Sequence, residues 1–282
     1  MQRKRLCTCV YSLDTLSSCH SDIGYHDFYH ELDLSSGLEY TALKILQAKP
    51  DKVTKGEYDL RLKSGTAQTL WKGETGRVDI NTGAPKLITQ ILIRSGANEG
   101  QASAWTSAIL KRRQNKDQMQ PSPQNQGQQA GGQANPQPSQ LFNNIGELSE
   151  IGIPANIIKR MKPYITVFSG KAQIDPRLAS TDLLSVLPGM TEPRLRRLIA
   201  LRDQGVTDRN QWSQEAGDAM SFFLFDKSPS VRITIASQLN NGMRSNAEVV
   251  IINYKDDLEP YRVLSWDELS LSEGKISREE EN

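Results

Sequence analysis

Apolar residues first recur at helical spacing between Leu32 and Gln47, where Leu34, Leu38, Leu43, Ile45 and Leu46 make a broad apolar face. Pro50-Asp51 ends that pattern. Tyr58-Asp-Leu-Arg-Leu-Lys63 then alternates as a strand does, and Thr69-Leu70-Trp71 predicts a second strand. Gly73 and Gly76 turn the chain. Helical spacing returns over residues 84–113, with Trp105, Ile109 and Leu110 as predicted core. It returns again around Gly152 and Pro154, where Leu148, Ile151, Ile157, Ile158 and Met161 predict a further helical pair.

The most informative stretch runs from Thr166 to Arg202. Thr166-Val-Phe168 reads as a short strand, and Ser180-Thr181 can cap a helix that carries Leu183, Leu184 and Leu187. Pro188-Gly189 stops that helix, since proline lacks the donor and glycine takes a left-handed turn cheaply. Thr191 is placed to cap a second helix bearing Leu195, Leu198, Ile199 and Arg202. The segment 205–226 is weakly patterned around Trp212 and Phe222-Phe-Leu-Phe225. The period then changes from 3.6 to 2. Val231, Ile233 and Ile235 alternate with Arg232, Thr234 and Ala236. Asn240-Asn-Gly242 supplies a turn, Glu248 to Tyr254 a returning strand, and Tyr261 to Trp266 a third. The expected fold class is α+β, closing in an antiparallel meander.

One pattern occurs twice. Arg77-Val-Asp-Ile-Asn-Thr-Gly-Ala-Pro-Lys-Leu-Ile88 aligns without gaps on Gln173-Ile-Asp-Pro-Arg-Leu-Ala-Ser-Thr-Asp-Leu-Leu184. Asp79 falls on Asp175, and each copy continues through a glycine break (Ser95-Gly96, Pro188-Gly189) into a helix ending in basic residues. Two copies of a helical hairpin make either one more credible. Asp79, Asn81, Asp175, Pro188 and Gly189 are its marker residues, and the aspartates are expected to cap backbone N–H groups rather than act as acids.

Composition narrows the chemistry. The chain has 282 residues and a formal net charge of +1, so no global field draws it to nucleic acid or an anionic membrane. All three cysteines and all three histidines precede Glu31, which removes histidine base, cysteine nucleophile and Cys/His metal chemistry from the body of the chain. Cys7, Cys9, Cys19 and His20 match no compact zinc spacing. Residues 1–30 are expected to be an atypical, disordered or mis-started segment. Residues 114–140, rich in Gln, Asn, Pro and Gly, are expected to form a disordered loop, and 270–282 a loose tail. Asp256, Asp257 and Glu259 are adjacent but lack the ligand spacing of a calcium loop. Lys111, Arg112 and Arg113 are expected at a solvated helix end. No enzyme motif is present, and no catalytic, cofactor-binding or metal-ligating residue is assigned.

The hairpins also permit a nucleic-acid reading. Helix-hairpin-helix modules hold phosphate on the N–H groups of a Gly-hydrophobic-Gly turn. Leu187-Pro188-Gly189-Met190 begins that way, with Arg194, Arg196, Arg197 and Arg202 nearby, but Thr191 replaces the second glycine.

Taken in order, these segments resemble the type II secretion minor pseudopilin K (general secretion pathway protein K) family over about residues 30–269. The resemblance rests on Gly76-Arg-Val-Asp-Ile-Asn81, Pro163-Tyr-Ile-Thr-Val-Phe-Ser-Gly170 and Leu187-Pro188-Gly189-Met190. It continues in Val231-Arg-Ile-Thr-Ile235 and Pro260-Tyr-Arg-Val-Leu-Ser-Trp266. It implies a pilin-like helix and first strands at 31–80, a helix-hairpin-helix or SAM-like insertion at 81–225, and closing strands at 226–269. It implies a subunit at the tip of the pseudopilus, with minor pseudopilins I and J as partners, an inner-membrane anchor and a periplasmic domain. The family can bind calcium, although no ligand maps onto this chain. Members begin with a basic leader and a long apolar helix, which Met1 to Asp22 do not show, so a displaced start is expected. The alternative is a DNA-binding protein with two helix-hairpin-helix units.

Overall fold

The computed structural model describes residues 25–47, 55–114, 141–253 and 261–270, without the side chains of 25–33, 46–47 and 114. The cysteines, His20, the glutamine-rich loop from 115, the acidic trio at 256–259 and the C-terminal tail lie outside the described residues.

Helix α1 (Tyr25–Gln47) begins ahead of the expected Leu32. It lies on a five-stranded antiparallel sheet of order β1-β2-β5-β6-β7, built from β1 (Lys55–Arg61), β2 (Gly65–Gly73), β5 (Ser230–Leu239), β6 (Arg244–Asn253) and β7 (Tyr261–Leu269). Leu34, Leu38, Ala42 and Ile45 pack on Trp71, Val231, Ile233, Ile235, Ala247, Val249 and Ile251. Leu43, expected on this face, is instead 46% exposed. It follows Ala42 directly, and one residue turns a helix by about 100°. Gly37 permits the close approach, because a Cβ there would stand 3.0 Å from Ile235 Cγ2. Thr41 donates to Thr69 Oγ1 at 2.8 Å, so the buried hydroxyl pair under α1 is satisfied.

β2 pairs with β5 along its length, from Gly65 opposite Leu239 to Gly73 opposite Val231. The chain therefore leaves the sheet after β2, forms a helical body, and returns as the neighbouring strand. Gly242, at φ +87°, turns β5 into β6 as the Asn-Asn-Gly motif predicts. The strands are longer than their expected cores, because ladder hydrogen bonds carry polar flanks that alternation alone leaves unassigned.

The helical body has its own core, sharing no buried residue with the sheet core. It contains α2 (Pro85–Arg94), α3 (Glu99–Gln114), α4 (Ala155–Met161), α5 (Thr181–Ser185), α6 (Glu192–Asp203) and α7 (Arg209–Ala216). The sequence repeat is a structural one. In the first copy β3 (Val78–Asp79) runs parallel to β4 (Ile165–Thr166), pairing Val78 with Ile165. In the second, Ile174 forms a parallel bridge with Phe223. Each copy thus opens with an extended Val/Ile-Asp step, and its helices end at a returning extended residue. The intervening turns are left-handed glycines, Gly96 and Gly152 in the first copy and Gly189 and Gly205 in the second.

Four local expectations change, the first being that α5 ends at Ser185, short of Leu187 and of the Pro188-Gly189 stop. Thr191 occupies the N-cap of α6, but its side chain makes no capping bond, whereas Ser180 accepts from Leu183 N–H as expected. The short strand is 165–166 rather than 166–168. The weakly patterned 205–226 is well structured: α7 and a 3-10 turn (Gly217–Phe222) wrap Trp212, which is fully buried and meets Phe223 edge-on at 6.5 Å. Only eight residues form α7, too few for a helical period to declare itself.

Candidate functional site: the junction of sheet and helical body

The two hydrophobic cores meet through polar groups. A 3-10 turn, Glu74–Gly76, follows β2 and places Glu74 between the sheet and β4. Its carboxylate is 1% exposed. Arg232 donates Nε to Glu74 Oε1 at 2.7 Å and Nη2 to Oε2 at 2.9 Å, a two-pronged pair. Its Nη1 donates to Glu248 on β6, and Thr166 of β4 donates its hydroxyl to Glu74. Arg77, partly buried beside the cluster, donates to the Lys162 carbonyl at 3.3 Å.

Two arginines and two glutamates thus sum to zero charge in a dry junction, which is what makes their burial tolerable. Burial alone would push the Glu74 carboxyl up, but Arg232 foremost, then Arg77 and the Thr166 hydroxyl, hold it below the ordinary glutamate value. Burial acts on Arg232 in the opposite sense and is outweighed by Glu74 and Glu248, so its guanidinium is held more firmly protonated than usual. Arg77 is shifted down by burial and by the Arg232 charge, against the pull of Glu74. Serine hydroxyls complete the seam: Ser228 Oγ accepts from Thr75 N–H at 3.2 Å and donates to the Ser230 carbonyl, and Ser230 donates to the Phe168 carbonyl at 2.7 Å. Period-2 reasoning sends Arg232 to solvent. The available signal is Glu248, a carboxylate on the next strand, and the acidic residue between Gly73 and Gly76.

The hairpin residues sit deeper in the helical body. Asp79, 1% exposed, accepts at Oδ1 from the N–H of Asn81 (2.7 Å) and of Thr82 (3.2 Å), and at Oδ2 from Gly170 N–H (2.8 Å) and the Ser169 hydroxyl (3.2 Å). Asn81 clamps the Phe142 backbone from both sides, donating to its carbonyl and accepting from its N–H at 2.9 Å each. Asp175 accepts at Oδ1 from Arg177 N–H at 3.0 Å, and its carboxylate is gripped by the Arg177 guanidinium, whose pKa that hydrogen bond raises. Gly189 is left-handed at φ +77° after Pro188, and its carbonyl accepts from Arg194. These residues do not converge on one site; they hold the turns of the two copies.

In the basic cluster at the end of α3, Lys111 is exposed as expected, but Arg112 and Arg113 are partly buried. Arg112 bridges Glu147 and Glu150 and stacks over Phe142, 4.2 Å from the ring centroid. Arg113 donates to the carbonyls of Ile80 and Gly83, and burial lowers its pKa against the pull of Asp79. The two arginines thereby tie the end of α3 to the Asp79 turn and to the ring of Phe142, whose backbone Asn81 clamps. The α6 arginines are also engaged: Arg194 with Gly189, Arg196 with Glu192, Arg197 with Glu215, and Arg202 with the Ala179 carbonyl. Among the described residues no three metal-ligating side chains converge, and Asp79 and Asp175 are spent on backbone and arginine donors, so this donor set does not fit calcium. No helix among the described residues is long and apolar enough to cross a membrane.

Comparison with known proteins gives one kind of match. No family model and no curated protein sequence matches the chain. Among solved structures, a chain in the crystal structure of the GspK–GspI–GspJ complex from the enterotoxigenic Escherichia coli type 2 secretion system superposes with a TM-score of 0.55. The match covers 87% of this chain and 98% of that one at 13% identity. The chain has the fold of a subunit of that complex. At this identity the agreement lies in the order and packing of elements, which is also where the sequence resemblance to pseudopilin K resides.

Proposed function

We propose that the protein is a minor pseudopilin of a type II secretion system, assembling with minor pseudopilins I and J at the tip of the pseudopilus. The observation that carries this is the fold match over nearly the whole of the E. coli chain, which belongs to a complex of GspK, GspI and GspJ. In this reading α1 and the five-stranded sheet are the pilin-like core, formed by 31–80 and 226–269. The helical body, 81–225, is an insertion between β2 and β5. An insertion of that bulk, fixed to the sheet through Glu74 and Arg232, obstructs the addition of another subunit above it. The role is structural: the buried charges make the junction rigid rather than reactive. The protein would act in the periplasm, as the family resemblance implies.

The test is co-purification of this chain with minor pseudopilins I and J of the same system, read by size-exclusion chromatography with light scattering. A ternary complex is expected, and a DNA duplex added to the same chain should produce no mobility shift. Folded I and J that associate with each other and leave this chain behind would refute the proposal, and a salt-sensitive shift would favour the helix-hairpin-helix alternative.

A further inference from the structure

The two copies of the repeat open on turns that gather the same kind of oxygen ligand. Each sets a buried aspartate beside backbone carbonyls, surroundings that a hard cation favours. In each, a guanidinium of this chain occupies them. In the first copy Arg113 reaches back from the end of α3, donating Nε to the Ile80 carbonyl at 2.7 Å and Nη1 to the Gly83 carbonyl at 2.9 Å. Its Nη2 also donates to the Ile80 carbonyl, and the Asp79 charge attracts it. In the second copy Arg177 sets Nε on Asp175 Oδ1 at 2.8 Å and Nη2 on Oδ2 at 2.6 Å. The same Nη2 donates to the Phe225 carbonyl at 3.0 Å, and the guanidinium lies 5.4 Å from the Phe225 ring centroid.

The two arginines are not equivalent in sequence. Where Asp79 falls on Asp175, Arg177 falls on Asn81, and Arg113 lies beyond the aligned stretch. A positive group thus reaches each opening turn from an unrelated place, which points to a need of the turn rather than to a residue carried along with the repeat. We propose that Arg113 and Arg177 are the built-in cations of the helical body: they hold its two opening turns as a bound calcium ion would, and the body keeps its stability without a divalent ion. This accounts for the mismatch between the calcium binding that the family resemblance implies and the side chains present. A metal at either turn would have to displace the donors already on Asp79 and Asp175, and would stand against a guanidinium of like charge. Arginine stays protonated throughout the range in which proteins fold, so this charge is not lost on dilution or chelation. The inference concerns how the body is held and does not depend on the proposed assembly.

The test is thermal unfolding of the full chain, followed by circular dichroism, in an excess of calcium chloride and in an excess of EDTA. The two midpoints should agree to within about 1 °C, whereas a fold held by calcium shifts upward by several degrees when the ion is in excess. Arg177→Met keeps the length but not the charge, and should lower the midpoint by about 5–10 °C because it abandons a buried carboxylate. Arg177→Lys keeps the charge and should lose less, and the same order should hold for Arg113→Met and Arg113→Lys. An unaltered chain whose midpoint rises by several degrees with calcium, or falls as far with EDTA, would overturn the proposal. So would lysine and methionine variants of equal stability, since the turns would then need no positive charge. If a variant fails to fold, the comparison of calcium with EDTA on the unaltered chain decides by itself.

Discussion

Replacing Arg232 by methionine removes the hub of the junction while keeping its length and its apolar stem. The arginine makes three charge-assisted bonds, two to Glu74 and one to Glu248, and its side chain is only 8% exposed. What remains after substitution is a glutamate in a dry seam with one hydroxyl partner, Thr166, and the more distant Arg77. Breaking a buried pair from one side costs about 3–5 kcal/mol, because the abandoned charge keeps its desolvation penalty. Removing both ends, with Glu74→Leu added to Arg232→Met, should cost less than the single substitution for the same reason. Urea unfolding followed by circular dichroism, with an unchanged m-value, measures both. The pH dependence provides an independent check. In the unaltered protein the Glu74 pKa is depressed, so its contribution is present above the unfolded carboxylate value and is lost as pH falls through the folded one. Without Arg232, burial dominates and the pKa rises, so the variant gains stability as Glu74 protonates. The cost of Arg232→Met should therefore shrink as pH is lowered. A cost below about 1 kcal/mol, as for a surface pair, or one that grows toward acid pH, would refute the assignment of Arg232 as the buried hub.

Two further outcomes test the helical body. Trp212→Ala deletes a fully buried indole that packs on Phe223 and donates to the Val206 carbonyl, and should cost about 3–5 kcal/mol by urea unfolding while lowering the intrinsic fluorescence. Gly189→Ala meets no steric obstacle, the nearest atom to a new Cβ being Asp218 Cβ at 3.7 Å, so its cost is purely the left-handed backbone, about 1–2 kcal/mol by the same unfolding assay. A Gly189→Ala variant as stable as the original would show that the turn does not require φ +77°.

Alternation and helical spacing are local properties, and what they encode locally is legible. Val231, Ile233 and Ile235 declare β5, Asn240-Asn-Gly242 its turn, and the doubled Val/Ile-Asp pattern two equivalent units whose aspartates satisfy nearby backbone donors. A chain folded in this order can bury two faces, one on a sheet and one among helices, and the α+β class follows from that. The junction is not legible. Arg232 occupies a position that period 2 assigns to solvent, and only the return of β5 beside β2 sets it against Glu74, 158 positions away in sequence. Arg112 and Arg113 likewise look like a helix end facing water, because the carbonyls and carboxylates they serve come from other segments. Charge declares its presence in a sequence but not its surroundings. Whether a charged side chain is solvated or buried depends on which distant partner reaches it, and that is decided when the two cores dock.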